Sequence, residues 1–134
     1  KKNMMNKAIG NDYESKLIDL LAKNGWWCHL FAYKPEGQPC DIIALKDNKY
    51  LLIDVKHCSA NRFPFKDIQT NQKNCFKLAT QKGNTNNGFA IYFEQTKEWR
   101  WLDYIDFAHL EQCGCKSVSP SECVFMFGED DGVL

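Results

Sequence analysis

Long apolar runs are missing from this sequence: no stretch approaches the ~20 residues of a membrane-spanning helix. The first residues, Lys1 to Lys7, lack the apolar centre of a secretory signal, so no membrane partner and no export are expected. Cysteine is present, but not as secreted frameworks use it. The seven residues are odd in number and irregularly spaced, which argues against a disulfide scaffold and for buried thiols in a reducing cytoplasm. Internal repeats, low-complexity tracts and linkers are absent as well. The 134 residues therefore read as a single domain, 1–134, large enough to bury its own core.

Net charge is missing too, since 17 Lys and Arg balance 17 Asp and Glu. A neutral chain is a poor advertisement for a nucleic-acid partner, but the charges are unevenly spread. Residues 1–93 carry 14 basic and 8 acidic side chains, while residues 94–134 carry 3 and 9. A phosphate-binding face can be built from the first part, although a split of this size also arises by chance on a solvated surface.

Hydrophobic periodicity supplies the elements. Residues 11–24 read as a helix capped by Asn11 or Asp12, with Tyr13, Leu17, Ile18, Leu20 and Leu21 as its apolar stripe and Asn24-Gly25 as its end. Trp26 to Tyr33 reads as a strand, followed by a loop from Lys34 to Pro39. Cys40–Leu45 and Tyr50–Lys56 flank Lys46-Asp47-Asn48-Lys49, whose centre suits a two-residue hairpin turn. Both strands are apolar on both faces, the pattern of central strands covered by helices. A second helix is expected over Lys66–Lys82, a second hairpin over Gly88–Glu94 and Glu98–Leu102, a short helix over 103–112, and a last strand at Val124–Phe127. This order predicts an α/β domain with a central mixed β-sheet of about five strands flanked by helices.

The chemistry-bearing feature is geometric. If the first hairpin turns on Asp47-Asn48, residue i on one strand faces residue 95 − i on the other, and Asp41 faces Asp54. Their Cβ atoms would then lie only ~5 Å apart. Lys56, two residues beyond Asp54, points to the same side. Opposed carboxylates on buried strands repel, and desolvation sharpens the penalty. A divalent ion relieves it, since Mg²⁺ takes one or two carboxylates together with waters and phosphate oxygens. Lys56 is placed to hold a phosphate oxygen or to assist an attacking water. Glu14 borders the buried stripe of the first helix and could reach the same face of the sheet. The plainer alternative is an Asp54–Lys56 ion pair with Asp41 at a strand end.

Pro39-Cys40-Asp41, a strand, a turn and then Asp54-Val55-Lys56 resemble the PD-(D/E)xK nuclease signature, with Cys40 inserted between Pro39 and Asp41. Glu14 is similar to the helical glutamate of that superfamily, and Gln69 or Gln72 resembles the glutamine that often follows the lysine motif. The resemblance spans about residues 8–103, leaving 104–134 as an extension, and is closest in layout to archaeal and RecU-type Holliday-junction resolvases. It implies a restriction-endonuclease-like core in which Glu14, Asp41, Asp54 and the Val55 carbonyl hold Mg²⁺ or Mn²⁺. Lys56 and Gln72 would complete the catalytic set. By the same resemblance the protein would be a homodimer acting on branched or four-way DNA in recombination and repair.

Lys34, Arg62, Lys66, Lys73 and Lys77 are the candidate phosphate contacts. His109, Cys113, Cys115 and Cys123 have the ligand types of a zinc site, but only one C-x-C pair at a tight spacing. Trp26, Trp27, Trp99 and Trp101 read as core or dimer-interface anchors, and His29 and His57 as residues without a catalytic role. The expected function is that of a metal-dependent DNA endonuclease. The alternatives are a DNA- or protein-binding module that keeps the nuclease fold without catalysis, and a restriction or repair nuclease acting on ordinary duplex.

Overall fold

A computed structural model describes residues 2–128, with side chains from Asp12 onward; Lys1 and residues 129–134 lie outside the described residues. In chain order the elements are α1 (Lys2–Lys23), β1 (Trp27–Leu30), β2 (Ile42–Lys46), β3 (Lys49–Cys58), β4 (Phe63–Pro64), α2 (Thr70–Gln81), β5 (Asn87–Phe93), β6 (Glu98–Asp103), α3 (Tyr104–Gln112), β7 (Ser117–Val118) and β8 (Val124–Phe125). Six strands form one mixed sheet in the order β1-β2-β3-β5-β6-β8, and β4 pairs with β7 apart from it. All neighbours in the large sheet are antiparallel except β3 and β5, which run parallel because α2 lies in the crossover between them. The mixed α/β sheet is the expected one; the last strand, expected over Val124–Phe127, is the two-residue β8 at its far edge and brings the sheet to six strands.

The β2–β3 register is the predicted one. Ile42 pairs with Ile53, and the ladder closes at Lys46 and Lys49. Asp47 and Asn48 both take positive φ, 50° and 64°, as a type I′ hairpin requires. Each face of the sheet has its own core. On one, Leu17 and Leu21 of α1 pack over Ile42, Ala44, Leu51, Ile53, Trp99 and Trp101. On the other, Phe76 of α2 and Phe107 of α3 meet Phe89, Ile91 and Phe93. The aromatic edges interlock there, with ring centroids 5.4 Å apart for both Phe76–Phe89 and Phe89–Phe107. Val118 and Cys123 enter the second core and Met126 the first, so the chain beyond residue 103 contributes to both.

Three expectations are corrected. The first helix starts at Lys2, not near residue 11; Asp12 lies inside it and pairs with Lys16 at 3.0 Å instead of capping. The side chain of Asn11 lies outside the description, but its backbone is helical. The expected helix over Lys66–Lys82 is interrupted: a 3₁₀ turn covers Phe65–Asp67, and the α-helix begins only at Thr70. Gln69 adopts an extended conformation there, and its N–H donates to Gln72 Oε1 at 2.9 Å, a side-chain cap that helix periodicity does not reveal. The strand over Trp26–Tyr33 is shortened to four residues, since the chain turns away towards the Pro35–Pro39 loop. At the end of α1, Gly25 (φ 88°) allows Trp26 N–H to reach back to Leu21 O at 3.0 Å, closing the helix as the Asn24-Gly25 pair predicts.

Candidate active site

The ladder of β2 and β3 stops one residue short of the two aspartates. Asp41 lies just before β2, where its N–H donates to Ile53 O at 3.0 Å and its carbonyl accepts from Phe31 N–H at 2.9 Å. Its side chain turns onto β3, and Oδ2 accepts the Val55 N–H at 2.7 Å. Oδ1 accepts from Gln38 Nε2 at 3.3 Å. Because the N–H and C=O of one strand residue face the same neighbour, the Val55 carbonyl points into the gap that β2 leaves open.

Asp54 is 1% exposed. Gln72 Nε2 donates to its Oδ1 at 3.1 Å, and the Lys56 ammonium stands 3.2 Å from its Oδ2. That ion pair is off the line of a hydrogen bond, so Oδ2 is buried without a hydrogen-bond partner. Burial pushes the Asp54 carboxyl well above the usual carboxylate range; the Lys56 charge pulls it back in part, and the Asp41 charge raises it again. Lys56 donates to Gln72 Oε1 and to the Asp67 carbonyl, both at 3.2 Å. The Asp67 carbonyl is available because the 3₁₀ turn ends there. Gln72 thus holds three groups: Asp54, Lys56 and the first turn of its own helix.

Glu14 reaches the site by a route the sequence does not disclose. Its helix covers the face that carries Ile53, with Val55 packed beside it, whereas Asp54 and Lys56 turn to the α2 face. Glu14 is near enough to Asp41 to feel its charge. Burial, and then the Asp41 charge, raise its carboxyl to about 7. The helix carrying Glu14 is pinned by its neighbour: Tyr13 stacks on His57 with centroids 4.6 Å apart and donates to Glu94 Oε1 at 2.6 Å.

Asp41, Asp54 and Gln72 line a cleft of about 450 Å³ with Tyr33, Lys34, Gln38, Cys40 and Gln69, whereas Glu14, Val55 and Lys56 are not part of its wall. Cys40 sits 3% exposed beneath the cleft, its thiol raised to about 12 chiefly by burial. Among the candidate phosphate contacts, only Lys34 lies at this cleft. Arg62 is tied to Glu122 at 2.9 Å and to Ser117, and Lys73 is tied to Glu111 at 2.8 Å. Lys66 and Lys73 line a second cleft beside Lys116, and Lys77 is exposed on α2. Gln38 and the Asp67 carbonyl escaped the sequence reading. A glutamine next to Pro39 carries no signal of its own, and a backbone acceptor carries none at all.

The zinc candidates are not assembled. Cys113 Sγ stands 3.8 Å from His109 Nε2, but Cys123 is buried in the core with Cys115 against it. Among the described residues no three His, Cys, Asp or Glu side chains form a metal-holding group, so the acidic site is a carboxylate pair with Glu14 beside it. Trp26, Trp99 and Trp101 are core residues, one of the two places expected for the tryptophans, whereas Trp27 is exposed.

The six-stranded mixed sheet, with its single parallel pair β3–β5 and helices on both faces, is a resolvase-like α/β fold, the fold that the Asp41 and Asp54-Val55-Lys56 pattern led one to expect. Comparison with solved structures agrees. The Holliday junction resolvase Hjc of Archaeoglobus fulgidus superposes with a TM-score of 0.60 at 22% identity, over 72% of this chain and 78% of that one. In sequence, a UPF0102 protein of Fusobacterium nucleatum is 26% identical over 97 residues, 72% of this chain and 75% of its own. No family model matches the chain. No helix among the described residues is long and apolar enough to cross a membrane.

Proposed function

We propose that the protein is a metal-dependent DNA endonuclease that hydrolyses phosphodiester bonds, selective for branched or four-way DNA and acting as a homodimer. The observation that carries the reading is the buried Asp54 Oδ2, left without a hydrogen bond beside a second carboxylate and an ammonium. Such an arrangement is unfavourable for an empty protein and favourable around a cation. The donor set fits Mg²⁺ or Mn²⁺: carboxylates from Asp41 and Asp54, the Val55 carbonyl, and Glu14 at the margin, with water and phosphate left to fill the shell. When bound, the metal polarises the phosphate and lowers the pKa of water.

The remaining roles fall to the chain. Asp41 is oriented from both sides, by Val55 N–H and Gln38. Gln72 fixes the Asp54 carboxylate and the Lys56 ammonium relative to each other. Lys56 stabilises the charge that grows on the phosphate oxygens and orients the attacking water. Lys34 supplies a phosphate contact at the cleft mouth. Selectivity for junctions is supported by the likeness to a protein described as a Holliday junction resolvase. A two-fold dimer would present two such clefts to opposed strands.

The deciding experiment uses labelled four-way junctions and matched duplex, with and without Mg²⁺, beside Asp54→Asn. Mg²⁺-dependent cutting of the junction that Asp54→Asn abolishes is the expected result. Binding with no cutting under any condition would leave a binding module on a nuclease fold, and equal cutting of duplex would remove the junction selectivity.

A further inference from the structure

Trp27 is the exception among the tryptophans, and its surroundings explain why. On β1, Cys28 packs into the α1-side core, so Trp27 and His29 point to the opposite face, and Phe31 continues the row towards the Phe76 core. The rings form a ladder. Trp27 and His29 are nearly parallel, 12° apart with centroids at 6.4 Å, and His29 meets Phe31 edge-on at 5.3 Å. At residue 31 the ladder joins the candidate active site directly, since Phe31 N–H donates to the Asp41 carbonyl. Two and three residues on, Tyr33 and Lys34 line the acidic cleft. Trp27, on the edge strand β1, is 60% exposed, and Tyr33, in the loop beyond it, 65%.

An exposed tryptophan alone calls for no ligand, but one continuous with a row of rings that ends at a phosphate-cutting cleft offers a nucleic-acid strand a surface on which its bases can stack. We propose that the odd-numbered face of β1 is a stacking rail for the unpaired bases of single-stranded DNA, leading that strand to Asp41 and Asp54. The Trp27 and His29 rings lie 12° from parallel with centroids 6.4 Å apart, the spacing of neighbours on one face of a strand, so successive bases can lie against successive rings. Every base offers a π-face, so the rail reads strandedness and not sequence. Lys34 at its end meets the backbone phosphate as the chain enters the cleft. The inference rests on the nuclease reading for what the rail delivers, and it narrows the substrate to DNA with an unpaired segment beside the cut. The binding itself needs neither metal nor cleavage.

The test is anisotropy of a short fluorescein-labelled oligo(dT), and of a blunt duplex, with the full chain in EDTA. Trp27→Ala should weaken oligo(dT) binding by about 5- to 150-fold, the loss of one stacked base, and leave duplex binding within about twofold. Trp27→Phe should restore most of it, and Tyr33→Ala should act in the same direction as Trp27→Ala. Equal losses on duplex and oligo(dT), or no loss, would overturn the rail. A Trp27→Ala protein that sediments as a smaller species with unchanged oligo(dT) affinity would also overturn it, marking the face as a contact between copies. Intact, Trp27-dependent oligo(dT) binding in a protein that cuts no DNA would leave the rail standing and remove the nuclease reading instead.

Discussion

The carboxylate of Asp41 takes the place of a backbone acceptor: its Oδ2 receives the Val55 N–H at 2.7 Å where β2 has already ended. One side chain therefore both extends the ladder and presents an acid to the cleft. Asp41→Ala should lower stability by about 1.5–3 kcal/mol, the range for a hydrogen bond to a charged group, and abolish Mg²⁺-dependent cutting. Asp41→Asn keeps an acceptor for Val55 and should lose the cutting with a much smaller change in stability. Urea titrations of both variants, set beside their cleavage rates, separate the two roles. Equal destabilisation by Ala and Asn would show that the Val55 bond is not the structural element.

Metal-free stability should fall as pH rises. Glu14 in the folded chain titrates near 7 against a reference of 4.5, and Asp54 is also shifted upward. Between those values the folded state binds more protons than the unfolded one, so stability is fully present below about pH 4.5 and is lost as pH climbs through about 7. Thermal melts in EDTA should drop by roughly 3–8 °C between pH 5 and pH 8, and Mg²⁺ or non-catalytic Ca²⁺ should recover the difference at pH 8. A melting temperature that rises with pH in EDTA would contradict the buried-acid assignment.

Asp54→Asn removes the buried charge and keeps an acceptor for Gln72. In EDTA at pH 8 it should melt at or above the wild-type temperature, and it should lose the stabilisation by Mg²⁺ together with cleavage. A markedly destabilised Asp54→Asn protein at pH 8 would argue that Asp54 and Lys56 are a simple structural ion pair.

Gln72 joins three groups, and its removal should register in two measurements. Gln72→Ala loses the cap on Gln69 N–H, about 1 kcal/mol, and removes the amide that holds both Asp54 Oδ1 and the Lys56 ammonium, leaving them only their direct ion pair. The cleavage rate should fall by about 10- to 100-fold with little change in DNA affinity, and the pH–rate profile should move. An unchanged profile would reduce Gln72 to a helix cap.

The basic residues should divide. Lys34→Ala should weaken DNA binding and lower the slope of log K against log salt by about 1. Arg62→Ala and Lys73→Ala should change affinity little, because Glu122 and Glu111 already hold those charges, and should lose at most ~1 kcal/mol of stability. Salt titrations of binding on the three variants check the division; a full unit of slope lost at Arg62 or Lys73 would reverse it.

What the sequence determined by itself was local and periodic. Two turn-forming residues, Asp47 and Asn48, set the register of a hairpin whose strands are apolar on both faces, and register with strand parity brought Asp41, Asp54 and Lys56 to one place. Gln72 was the glutamine the resemblance placed in the catalytic set, with Gln69 as the other candidate; only the folded chain showed it joining Asp54, Lys56 and the Gln69 N–H. Where α1 packs is likewise not written in its own stripe, because an apolar stripe specifies that a helix is covered and not which face of the sheet covers it. Glu14 consequently stands on the helix of the opposite face and is linked to the site through the Asp41 charge alone. Only the assembled sheet decided that Arg62 and Lys73 would be spent on acids distant in the chain, while Trp27 remained exposed on the edge strand β1. Those outcomes depend on contacts between residues far apart in sequence, which local pattern does not encode.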